Sequence, residues 1–94
     1  MALPLPHLLT RHARERMQQR GIGPEAIDEL LQFGHEQHDR RGAVIVYFNH
    51  AARQRARRAG SDPRRLDRTA GMYMVIAGGV IATVGHRWRR VRRH

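Results

Sequence analysis

"MYMVIAGGVIATVGH", running from Met72 to His86, decides the fold class. Two apolar runs rich in β-branched residues flank Gly78-Gly79, and paired glycines supply the left-handed positions of a two-residue turn. The stretch therefore reads as a β-hairpin. Side chains alternate along a strand, so parity from the turn puts Tyr73, Val75, Ala77, Val80, Ala82, Val84 and His86 on one face. Met72, Met74, Ile76, Ile81, Thr83 and Arg87 fall on the other. Thr83 and His86 then point to opposite sides unless Gly85 is a bulge, which a glycine late in a strand permits.

A second strand signal lies upstream. "AVIVYF" (Ala43 to Phe48) is a continuous apolar run, the pattern of a central strand covered on both faces. His35 to Arg41 is polar and reads as an edge strand, with Gly42 offering a turn between the two. From Asn49 to Gly71 the chain is rich in Arg and Ala, with Leu66 as its one large apolar residue. A helix from His50 to Ala59 is expected there, capped by Asn49, then a loop and a further helical turn. So little apolar material predicts a surface segment over 49–71.

The amino-terminal third has helical period. Residues 1–9 read as a lead-in, since Pro4 and Pro6 oppose early helix formation. Thr10 is positioned to cap a helix from Arg11 to Arg20, and Gly21 to end it in the left-handed conformation. Pro24 suits the first position of a second helix, whose apolar face is Ala26, Ile27, Leu30 and Leu31 and whose end is Gly34. The expectation is one α+β domain over 1–94, an N-terminal helical hairpin packed on a small antiparallel sheet, closed by a basic tail over 88–94.

On the first helix, His12, Arg16 and Arg20 recur at four-residue steps, about 60° round from the apolar stripe of Leu9, Ala13 and Met17. The basic stripe thus borders the buried face. Residues there are oriented by the core yet reach solvent, which suits a site for an anion; it also suits arginine stems lying over apolar surface.

The chain of 94 residues has 18 basic side chains, all arginine, against 8 acids, for a net charge of +10 with His neutral. A polyanion is the expected partner. Arg53 and Arg57 in the middle segment, and Arg87, Arg89 and Arg90 in the tail, would add phosphate contacts, which give affinity without sequence choice. Arginine in place of lysine also follows from composition bias, though that does not explain the few acids. No cysteine is present, so thiolate chemistry and disulfides are excluded. The histidines show no metal-ligand spacing, so no metal and no cofactor are expected. No stretch reaches membrane-spanning length and the apolar start lacks a basic leader, so a cytoplasmic location is expected.

"HARERMQQRGIGPEAIDELLQFG" resembles the opening of a bacterial family, domain of unknown function 4258, with a His-Ala-x-x-Arg start, an Arg-Gly-Ile turn and a second helix ending in Gly. "VIATVGHR" is similar to that family's closing strand, whereas the Arg-rich middle departs from it. The resemblance implies a barnase/EndoU/colicin/RelE-like (BECR) fold, whose members include metal-independent ribonuclease toxins. By that likeness His12, Arg16 and Arg20 match the first-helix positions, and Thr83, His86 and Arg87 the closing strand.

The function expected is that of a metal-independent, toxin-type ribonuclease acting on RNA. His12 is its acid/base candidate, Arg16, Arg20 and Arg87 its phosphate clamps, and Thr83 and His86 accessory groups. Two alternatives belong to other classes: a nucleic-acid-binding module without catalysis, and an interaction domain for an acidic, antitoxin-like protein. The sequence leaves the oligomeric state open.

Overall fold

The computed structural model describes residues 8–86. In chain order the elements are β1 (Leu8–Leu9), α1 (Arg11–Arg20), α2 (Pro24–Phe33), β2 (His35–His38), β3 (Val44–Tyr47), α3 (His50–Arg58), α4 (Pro63–Thr69), β4 (Met72–Ala77) and β5 (Val80–His86). The fold is α+β. One sheet in the order β1-β5-β4-β3-β2 combines four antiparallel strands with the two-residue β1, which runs parallel to β5. The end of the lead-in is thus part of the sheet, with Leu8 opposite Val80 and Leu9 opposite Ile81. No described helix is long and apolar enough to cross a membrane.

Local chemistry sets the helix ends. The Thr10 hydroxyl accepts the Ala13 N–H at 3.0 Å, satisfying one of the donors a helix start leaves free. At the other end of α1, Gly21 takes φ 66°. There the Ile22 N–H donates to Met17 O at 2.8 Å and the Gly21 N–H to Gln18 O at 3.4 Å, the paired bonds of a Schellman turn. Ile22 is carried into the core by this turn. Asn49 and Asp62 cap α3 and α4 in the same way as Thr10 caps α1.

The buried apolar side chains of the three central strands all lie on one face: Val46 of β3, Met72 and Met74 of β4, Ile81 and Val84 of β5. The helices bury Ala13, Ala26, Ile27, Leu30, Ala52, Ala56 and Leu66 in the same cluster. β3 is therefore covered on one side rather than both, and Ile45 and Tyr47 are only half-buried. Its apolar run reflects β-propensity on the second face as well as burial on the first.

Segment 49–71 is not merely a surface segment. It forms two helices, and Ala52, Ala56 and Leu66 are within 1% of full burial. Ala52 and Ala56 are one turn apart, and their small side chains let an otherwise arginine-clad helix lie close to the core. Burying Leu66 alone is worth about 1.5–3 kcal/mol.

The hairpin forms where the glycines place it, with Gly78 at φ 61° and Gly79 at φ 80°. Its ladder then slips: Ile76 pairs with Ile81, but Val75 pairs with Thr83. The extra residue is Ala82, not Gly85. One added residue reverses parity for the rest of the strand, which is how Ile81 and Val84, three apart, are both fully buried. Beyond the bulge, Thr83 joins Tyr73, Val75 and Gly85 on the face away from the core, while His86 pairs with Met72 on the helix-covered side.

Candidate active site

Thr10 ties α1 to that bulge. Its hydroxyl donates to Ala82 O at 3.0 Å while accepting from Ala13 N–H, and its own N–H donates to Ile81 O at 3.0 Å. A helix start fixed in this way against β5 brings its second residue to the strand: His12 Nε2 lies 3.1 Å from Thr83 Oγ1. The ring is exposed. The hydroxyl can donate to a bare Nε2 or accept from Nε2–H, and either arrangement orients the imidazole while leaving Nδ1 turned elsewhere. Thr83 and His12, 71 residues apart, form the contact expected between the first helix and the closing strand.

The arginines of the stripe part company. Four residues on a helix are about 400°, so each step advances about 40° and two steps about 80°. His12 accordingly faces the rim of the Thr83 side, and Arg20 faces the other side of the sheet. Arg16 is half-buried between them, its Nε enclosed and without a hydrogen-bond partner. Arg16 stands one helical turn after His12 on α1. Arg20 and His86 do not join this site. They are exposed and line a separate cleft among the α1–α2 turn, α4 and the strand ends.

Arg53 and Arg57 lie on α3, apart from His12. Arg53 Nη2 reaches Asp67 Oδ1 of α4 at 3.4 Å, and Arg57 is exposed. This placement follows from α3 burying its alanine edge against the core, which commits the neighbouring Arg53 to α4. Arg87, Arg89, Arg90 and the tail over 88–94 lie outside the described residues, as do residues 1–7 of the lead-in.

A further residue enters the site. Tyr73 stands opposite Gly85, next to the Val75–Thr83 pair. A Cβ built on Gly85 would lie 3.0 Å from Tyr73 Cε1 and 3.2 Å from its Oη. The phenol therefore lies across Gly85 on the Thr83 face of β5, and Gly85 is the residue that admits it. Simple parity in the hairpin puts Tyr73 on the face opposite Thr83; only the bulge at Ala82 brings them together. Tyr47 and His35 extend this face toward β2, their rings edge-to-face at 5.4 Å.

The arrangement offers an exposed imidazole held by a hydroxyl, a phenol across the neighbouring glycine and a half-buried guanidinium one helical turn away. Such a set can donate and accept protons and hold a negative charge. Comparison with known proteins finds no match among curated proteins and none among solved structures. A family model described as Domain of unknown function (DUF4258) matches residues 9–59, more than half of the chain. The match carries His12, Arg16 and Arg20, runs through the arginine-rich α3 that the sequence sets apart from the family, and ends before Thr83 and His86. From the capped first helix through α3, this chain belongs to the DUF4258 family.

Proposed function

We propose that the protein is a metal-independent, toxin-type ribonuclease of the BECR kind, with the His12–Thr83 pair at its centre. The single observation that carries the reading is the exposed His12 ring hydrogen-bonded to Thr83 across α1 and β5. RNA cleavage without a metal needs a base for the ribose 2′-hydroxyl, an acid for the leaving oxygen and a cation for the phosphorane. In this reading His12 takes the 2′-hydroxyl proton, with Thr83 setting the orientation of its ring. The Tyr73 hydroxyl serves as the proton donor to the leaving oxygen. Arg16 faces the equatorial oxygens. Arg20 and His86 have no part in the step, since they lie on the other side of the sheet.

The test is incubation of purified protein with single-stranded RNA in EDTA, alongside His12→Ala and Thr83→Val. Cleavage by the parent, abolished in His12→Ala and reduced roughly tenfold to a hundredfold in Thr83→Val, is expected for a group that supplies proton transfer and one that orients it. Equal RNA loss in the parent and His12→Ala, or none in either, removes the assignment. The net charge of +10 favours a second reading, a nucleic-acid-binding module without chemistry. Binding that falls steeply with salt and leaves the RNA intact would identify it.

A further inference from the structure

Arg20 and His86 meet in a cleft that the ribonuclease reading does not use. It encloses about 470 Å³ and draws basic side chains from three elements: Arg20 at the end of α1, Arg65 and Arg68 one turn apart on α4, and His86 at the end of β5. Arg65 is already committed, its Nε 3.6 Å from the buried Glu29 carboxylate. Arg20 and Arg68 are exposed and have no hydrogen bond or ion pair among the described residues. Like charges gathered on one wall repel unless an anion is placed between them.

Two features of the wall define what would fit. Gly23 begins α2 with no side chain to cap it, so the positive end of that ten-residue helix faces the cleft. Only one carboxylate, Glu25, lines it, folded back so that its Oε1 is 2.8 Å from where a Gly23 Cβ would stand. The floor is apolar, formed by Ile22, Ala26 and Met72. The volume exceeds that of a bare phosphate and falls in the ordinary range for small ligands, about 300–1,000 Å³.

We propose that this cleft binds a phosphate monoester of mononucleotide size. The phosphate engages Arg20, Arg68 and His86, and the organic part rests on Ile22 and Met72. The site is independent of the proposed cleavage, because His86 and Thr83 project from opposite faces of β5. The ligand class is set by two uncommitted guanidiniums and a helix start, which suit a dianion, together with a floor that inorganic phosphate could not use.

Isothermal titration calorimetry at low salt, with adenosine monophosphate, inorganic phosphate and adenosine as probes, tests the assignment. None of these has a phosphodiester, so the outcome does not depend on ribonuclease activity. The monophosphate is expected to bind, phosphate to bind more weakly, and adenosine to give no heat. Arg20→Ala/Arg68→Ala should lose at least tenfold in affinity. Arg40→Ala/Arg41→Ala, which removes the same charge from the exposed β2–β3 turn, should not. Glu25→Gln, which needs no loss of a cation, should tighten binding severalfold and serves where the double arginine variant fails to fold. Absent monophosphate binding, equal weakening by the two double variants, or weaker binding in Glu25→Gln overturns the site. Phosphate binding as tightly as the nucleotide overturns the role of the apolar floor.

Discussion

Replacing Thr10 by Val tests how α1 is held against the sheet. Valine keeps the branched shape and removes the one hydroxyl that caps α1 through Ala13 N–H and reaches Ala82 O, each at 3.0 Å. Losing the cap costs about 1 kcal/mol. Leaving the part-buried carbonyl of the bulge without this donor costs about 1 kcal/mol more. The sum, near 2 kcal/mol, converts to a fall in Tm of roughly 8–16 °C for a domain of this size. Thr10→Ser keeps both hydrogen bonds and loses one methyl, so it should cost less than about 1 kcal/mol. Urea unfolding followed by circular dichroism reads both differences at the midpoint, provided the slope is unchanged. The same substitution should weaken RNA cleavage beyond the fraction unfolded, because His12 is the second residue of the helix that Thr10 anchors. A valine variant within about 0.5 kcal/mol of the parent, or a serine variant as unstable as the valine one, would refute the reasoning.

Other substitutions probe the packing. Gly34→Ala places a Cβ 2.5 Å from both Leu30 O and Val46 Cγ1, one of them rigid backbone, so a loss of about 1–3 kcal/mol in unfolding free energy is expected. Leu66→Ala should cost about 2–5 kcal/mol by the same measurement, since Leu66 is the one large buried apolar residue of α4. A stable Leu66→Ala protein would mean that α4 does not belong to the core. Gly85→Ala should displace the Tyr73 phenol rather than break the sheet, because the nearest atoms to the new Cβ belong to that side chain. Tyr73 fluorescence or NMR shifts should therefore change together with cleavage, and unchanged cleavage would take Tyr73 out of the proposed chemistry.

Much of the fold was legible because local rules govern it. Thr10, Gly21, Pro24, Asn49 and Gly78-Gly79 each act within a few residues of themselves, through a cap, a left-handed backbone or a turn. Within the candidate site, His12 and Thr83 were legible as members through the family likeness, though not their contact, since parity put Thr83 on the face of Met72 and Met74. Tyr73 was not, because its face depends on the position of a bulge, and Gly85 is the better bulge candidate by composition. The bulge falls at Ala82 instead, where Thr10 binds the strand from outside the hairpin.

The amino-acid order by itself determined the first three helices, the hairpin and the class of the fold, since caps, turns and periodicity are properties of neighbours along the chain, but it did not show that Leu8–Leu9 joins the sheet as β1. Tertiary structure alone decided which basic residues act together. The stripe of His12, Arg16 and Arg20 is one feature along the sequence, but an α-helix turns about 40° further at each four-residue step. Laid against the edge of a sheet, that drift sends its first member to Thr83 on one face and its last to His86 on the other.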